Sequence, residues 1–279
     1  MRTLALILTL LTFKLTAQVD LKFDKRFVES EDKWVAFGMD KDSSYIYGFI
    51  YIDEQAGLTF NREGKFKINS DHTFAVEKLK EANIKVRLQP NNVKVAWIPA
   101  AVYKDLQIES VPDWLKFYKT DTTSAKRLYK WGYMYNGWEL CSKALTYLIR
   151  AKQIAPDYEG LNVELAFSYN CLGEYNNAEQ ILEEEIKVNP TNAYVNKEYI
   201  YTVTKTKNID KATTQFLKSI TTIKDRTYNA ENCFNILQYF YIAKDKKNFN
   251  TWYNELKKWP NDNQALTDYA NAWNKEINK

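Results

Sequence analysis

The apolar positions of this chain follow two periods, one in each half. In Tyr45 to Ile52 they alternate: Tyr45, Tyr47, Phe49 and Tyr51 fall on one face, Ile46, Ile50 and Ile52 on the other. A period of two is that of a β-strand, whose side chains point to opposite faces. Further strands are predicted at Lys33 to Met39, Leu58 to Asn61, Lys65 to Asn69, Ile84 to Leu88 and Val93 to Ile98. Turn-forming stretches separate them: Asp42-Ser43-Ser44, Arg62-Glu63-Gly64 and Gln89-Pro90-Asn91-Asn92. His72 to Ala82 fits a strand or a short helix. Val111-Pro112-Asp113-Trp114 opens a short linking helix, and Thr120 to Ser124 breaks the chain before the second half.

The second half changes to helical spacing, with a longer period laid over it. Pro156 and Pro190 stand 34 residues apart, and Ala144 with Ala178, Leu148 with Leu182 and Tyr135 with Tyr169 share that offset. Carried once more it reaches Ala212 and Phe216. Helical spacing inside a fixed period of this size predicts stacked helical hairpins. Asn229 to Ala243 reads as an aromatic-rich helix, and Phe249, Trp252, Leu256 and Trp259 share one face of the next. Pro260 stops it, and Asp262 is a candidate cap for a last amphipathic helix carrying Leu266, Tyr269 and Trp273.

These residues resemble the tetratricopeptide repeat (TPR) family. Ala125 to Tyr158 supplies Trp131, Gly132, Tyr135, Ala144, Leu148, Ala151 and Pro156. Glu159 to Asn192 supplies Leu165, Ala166, Tyr169, Gly173, Tyr175, Ala178, Leu182 and Pro190, with Glu185 where the late small residue belongs. A weaker copy from Ala193 has Tyr199, Val203, Ala212, Phe216 and Ser219 but no closing Pro. Small residues in such a pattern let two helices approach, and large ones fill the space between hairpins. The expected fold class is α+β: a small, mostly antiparallel β module, then an α-helical TPR solenoid with a C-terminal helical cap.

The resemblance implies a groove lined by the first helices of successive repeats, holding an extended peptide or a helix. The matching positions are Lys126, Tyr129, Tyr133 and Asn136, then Val163, Phe167 and Asn170, then Tyr194, Lys197, Tyr201 and Lys205. Packing of these side chains against the β module or the cap is the competing expectation. Some family members grip a terminal carboxylate with Lys, Asn and Arg donors; Tyr129, Tyr133, Glu164, Tyr194 and Glu198 stand at those places, two of them acidic. That kind of grip is not expected here. The architecture also brings Cys141, which begins a second helix, towards Cys171, which ends the following first helix. A disulfide is one outcome; the strict geometry it demands favours two small buried residues without a bond.

Composition narrows the function. Arg2, the apolar run Thr3 to Phe13 and the small Ala17 form a secretory leader, expected to be cut after Ala17. A membrane span needs roughly 20 apolar residues, and Lys14 interrupts this run. No Asn begins an Asn-x-Ser/Thr sequon, which points to a bacterial route, periplasmic or secreted from a Gram-negative cell. Loss of Arg2 and Lys14 takes two from a formal net charge of only +4, so nucleic acid is not expected as a partner. Three dispersed cysteines and the single His72 make no zinc site, and no cofactor is expected. No phosphate loop, nucleophile elbow or triad is present, and Glu183-Glu184-Glu185 reads as a solvated helix face.

The expected organisation is a leader over residues 1–17, a β-rich module over 18–110, a linker helix over 111–123, three TPR-like hairpins over 124–222, and a degenerate hairpin with a capping helix over 223–279. The expected role is an exported, non-enzymatic protein- or peptide-binding scaffold. The alternative is a ligand- or glycan-binding protein that uses Lys65, Lys67, Lys85, Arg87 and Lys94 on the β module, aided by its tyrosines. Alternating lysines are also the ordinary means of keeping a sheet soluble.

Overall fold

A computed structural model describes residues 19–79, 84–119 and 122–279. The predicted leader, the end of the His72 to Ala82 stretch and the start of the predicted break at Thr120 lie outside these residues. The chain divides into two compact units, Met1–Thr120 and Asp121–Lys279.

The first unit is a β-sheet. Its strands are β1 (Lys25–Arg26), β2 (Lys33–Ala36), β3 (Tyr45–Asp53), β4 (Gly57–Ile68), β5 (Phe74–Lys78), β6 (Ile84–Arg87) and β7 (Lys94–Trp97). Among the described residues they run in the order β1-β7-β2-β3-β4-β5, with β6 also paired to β4, and every pairing is antiparallel. His72 to Ala82 therefore contributes a strand. Arg62-Glu63-Gly64, expected as a turn, lies inside the single long strand β4. Tyr47 pairs with Gly64 and Gly48 with Arg62, so Glu63 is the extra residue of a bulge. Such a bulge shifts which residues face which side.

That shift divides the basic residues read as one face. Beyond the bulge Asn61 opposes Phe49, and Lys85 opposes Asn61, so Lys85 and Arg87 share the tyrosine side of the sheet. Before it, Lys65 opposes Ile46, which places Lys65 and Lys67 on the other side. Tyr47, Phe49 and Tyr51 are buried under Ile98, Val102, Leu106 and Leu115, so those tyrosines present nothing to a ligand. The segment expected to link the halves, a 3-10 helix over Asp113–Tyr118, forms part of that cover: Trp114 meets Phe49 and Tyr51 edge-on, and Lys85 donates to the Tyr118 hydroxyl.

The second unit is helical, with α1 (Ala125–Gly137), α2 (Cys141–Ile154), α3 (Leu161–Cys171), α4 (Tyr175–Val188), α5 (Ala193–Lys205), α6 (Ile209–Thr222), α7 (Asn229–Ile242), α8 (Lys246–Leu256) and α9 (Gln264–Ile277). Side-chain caps start several of them: Ser124 accepts from the Arg127 amide and Asn192 from those of Tyr194 and Val195. For α9 the cap is Asn263, not Asp262, because the Asn263 side chain is the one that accepts from the Leu266 amide. Pro156 and Pro190 lie just past α2 and α4, which they cannot continue.

Within each hairpin the turn closes through an amide-to-carbonyl bond: Leu140 to Tyr135, Glu174 to Tyr169, Asn208 to Val203 and Asp245 to Phe240. The acceptors step by 34, 34 and then 37 residues, so three extra residues lie between the third turn and the fourth. The repeat core follows the predicted pattern, with Tyr135, Ala144, Leu148, Ala166, Ala178, Leu182, Ala212 and Phe216 all fully buried. Gly132 shows the close approach directly, since a Cβ there would overlap the Leu148 side chain.

Candidate functional site

Each first helix packs on its own hairpin partner and on the next first helix, as α1 on α3, α3 on α5 and α5 on α7. Where these helices meet, a polar rung recurs at the repeat offset. Asn136 donates to the Glu164 carboxylate at 2.8 Å and accepts from the Ser168 hydroxyl at 2.7 Å. Thirty-four residues on, Asn170 donates to Glu198 at 2.9 Å and accepts from Thr202 at 2.9 Å. All six side chains are buried. Asn136 and Asn170, expected to bond a partner's backbone, are thus spent inside the stack, and Val163 belongs to the hydrophobic core. Their partners lie about a repeat downstream, a pairing that helix periodicity does not reveal.

Glu164 is 3 % exposed. Burial raises its carboxyl from the usual 4.5 to about 7, even though Asn136 and the Tyr194 hydroxyl hydrogen-bond it; the nearby Glu198 charge adds to the rise. Tyr129 is pushed up to about 12, first by burial and then by the Glu164 charge. Gly160 permits this crowding: it holds a left-handed φ of 78°, and a Cβ there would come 2.7 Å from the Tyr129 hydroxyl.

The remaining predicted groove residues are at least partly accessible. Tyr133 is 58 % exposed, and Tyr129, Phe167, Tyr194 and Tyr201 are half-buried. Tyr133, Phe167 and Tyr201 occupy one repeat position, 34 residues apart. Lys126 is exposed at the start of α1. Lys197, expected as a donor to acidic groups, is already engaged: it reaches Glu198 at 2.8 Å and Glu231 at 3.4 Å, beneath the rings of Phe167, Tyr194 and Tyr228. Burial works to lower its pKa, but the two carboxylates outweigh burial and the ammonium is raised. Lys205 lies over the Tyr201 ring and reaches Gln238 at 3.4 Å.

Two other expectations meet a different outcome. Cys141 and Cys171 form a disulfide with their Cα atoms 6.2 Å apart, because antiparallel packing of α2 and α3 sets the first residue of one beside the last of the other. Cys233 is free and buried. The triple glutamate is not one wet face: Glu183 pairs with Lys211 at 2.6 Å and Glu184 with Lys187 at 2.7 Å, whereas Glu185 is buried and accepts from Asn162 at 2.8 Å. Among the described residues no helix is long and apolar enough to cross a membrane.

These hairpins, with their repeat-spaced small and large residues, define a TPR-like helical unit. The solved structures that resemble the chain include the following two. One is a tetratricopeptide repeat protein from Parabacteroides merdae, 12 % identical over 64 % of this chain and 63 % of that protein, with a TM-score of 0.44. The other, MamA MSR-1 C2, is 17 % identical over 57 % of this chain and 89 % of its own, with a TM-score of 0.43. The chain thus spans less than two thirds of the Parabacteroides protein. No protein-family model matches the chain, and no curated protein matches it in sequence.

Proposed function

We propose that this chain is an exported, non-enzymatic scaffold that holds an extended peptide or protein segment along its first helices, with the hairpins stacked as a short solenoid. The observation that carries the reading is the aromatic row Tyr133, Phe167 and Tyr201, one residue per repeat and each at least partly accessible. Aromatic side chains give large contact area at small entropic cost. Export to the periplasm or beyond the cell is the part of the reading supported by the leader pattern of the N-terminal sequence. A ligand site on the β module is less favoured, since the bulge separates its basic residues and Tyr47 and Tyr51 are buried.

The test is affinity capture from the cell-envelope fraction with cross-linking. Tyr133→Ala with Tyr201→Ala should abolish recovery of the partner, while Lys85→Ala with Arg87→Ala should leave it intact. The reverse pattern would transfer the function to the β module.

A further inference from the structure

The row Tyr133, Phe167 and Tyr201 has a regular step, and that step restricts what can lie along it. Its members hold one repeat position on α1, α3 and α5, which pack in succession. Packed helices stand about 8–10 Å apart, so the row advances by about that distance from one ring to the next. It stops after three rings, because the 37-residue step between the third and fourth turns sets Gln238 of α7 at the next place.

Regular peptide conformations step differently. A β-strand returns a side chain to one side about every 6.6 Å. An α-helix returns one to the same line every seven residues, or about 10.5 Å. Polyproline II has three residues per turn and a rise of about 3.1 Å each, so it repeats about every 9.3 Å. Of the three, polyproline II alone falls inside the step of the row.

Charge and hydrogen bonding select the same occupant. Glu164 accepts from Asn136, and Glu198 accepts from Asn170 and Lys197. Lys197 also meets Glu231, so these charges are matched within the stack. A charge laid over Phe167 would lose its water and find the groups beneath already paired. At the far end Lys205, over the Tyr201 ring, turns away a basic residue. Every residue except proline also brings a backbone N–H that needs an acceptor once covered. Aromatic rings are poor acceptors, and the glutamates behind them are taken. A proline-rich segment brings few such donors, and its carbonyls can accept from a hydroxyl such as that of Tyr133, which is 58 % exposed.

We propose that the groove takes an uncharged, proline-rich segment in the polyproline II conformation, with a proline at every third residue seated against Tyr133, Phe167 and Tyr201. Three such contacts span about seven residues, Pro-x-x-Pro-x-x-Pro. Second rings widen the bed at both ends: Tyr129 lies 6.4 Å from Tyr133 and Tyr175 lies 6.3 Å from Tyr201, between ring centres. A segment already held in this conformation loses little freedom on binding. The proposal rests on the groove reading and names the occupant of that groove.

The experiment is fluorescence anisotropy on the full, oxidised chain with labelled, end-blocked peptides of about twelve residues, long enough to cover the row. One peptide repeats Pro-Ala-Gln. A second has the same composition with its prolines moved to alternate spacings of two and four. A third carries Glu in place of each Pro, and a fourth is an amphipathic Ala/Leu helix. The first should bind saturably and at least about tenfold more tightly than any other. Tyr133→Ala and Tyr201→Ala, each checked for folding by circular dichroism, should each weaken it about tenfold. Lys85→Ala with Arg87→Ala should leave it unchanged. Equal binding of the two proline peptides, tighter binding of the acidic or helical one, or unchanged binding in both tyrosine variants would overturn the proposal. So would the absence of saturable binding up to about 1 mM peptide. If these peptides fail while a captured partner still depends on Tyr133 and Tyr201, the groove reading stands and the proline-rich occupant falls. A capture that ignores both tyrosines removes the groove reading itself.

Discussion

Replacing Glu164 by Gln removes a charge from a place where the fold holds a carboxylate with neutral donors. Asn136 and Tyr194 hydrogen-bond it, while the nearest ammonium, that of Lys197, is bonded to Glu198 and Glu231 instead. Its carboxyl is raised from 4.5 to about 7 by burial. A raised carboxyl keeps its proton in the folded chain through a window where the unfolded chain releases it. The stability it contributes is therefore complete below about pH 4.5, falls as pH rises towards about 7, and is lost above that. At about 1.4 kcal/mol per pH unit, the gap makes the ionised form cost roughly 3 kcal/mol near pH 8. Glutamine has the same shape, stays neutral, and can still accept from Asn136. Urea unfolding followed by circular dichroism from about pH 4 to about pH 8 should show the two proteins nearly equal at the acid end. Glu164→Gln should then gain steadily, to roughly 3 kcal/mol, or about 6–12 °C in Tm for a unit of this size. A constant difference across the pH range, or a variant less stable near pH 8, would refute the account of Glu164 as a buried carboxylate without a directly bonded cation.

The cysteines and the closest helix contact supply the remaining predictions. Thiol counting on denatured, unreduced protein should find one free thiol, that of Cys233, and three would sink the Cys141–Cys171 bond. Cys141→Ser with Cys171→Ser should lower stability by about 2–4 kcal/mol, read from urea midpoints under oxidising conditions. Gly132→Ala should cost about 1–3 kcal/mol because the new methyl overlaps Leu148. In a double-mutant cycle with Leu148→Ala the two costs should fall short of their sum, and strict additivity would show that the overlap is not the cause.

The helical half was readable because packing between repeats imposes its own spacing on the chain. Ala144, Ala178 and Ala212 sit where helices touch, and a small residue there is required by geometry rather than favoured by propensity. The shared repeat position of Tyr133, Phe167 and Tyr201 was legible for the same reason. What escaped depends on partners a repeat away or on a single inserted residue. Asn136 and Asn170 look like surface amides until Glu164 and Glu198 are set beside them. Glu185 sits in an acidic run, yet Asn162 of the preceding helix draws it inside. On the sheet, Glu63 is one residue too many, and that one residue reverses the side to which Lys65 and Lys67 belong. The alignment of α7 with α5 needed the 37-residue step between the third and fourth turns, since an offset of 34 sets α7 out of register.

The disulfide gives the stack a direction in which it comes apart. Hairpins held only by their neighbours fray from whichever end is freer. Cys141 and Cys171 stitch α2 to α3, so the first two hairpins remain joined even when their side chains have let go. No such bond ties α7, α8 or α9, whose one cysteine is free. A protease or a mechanical pull therefore meets an array that sheds α9 and α8 first and α1 to α4 last.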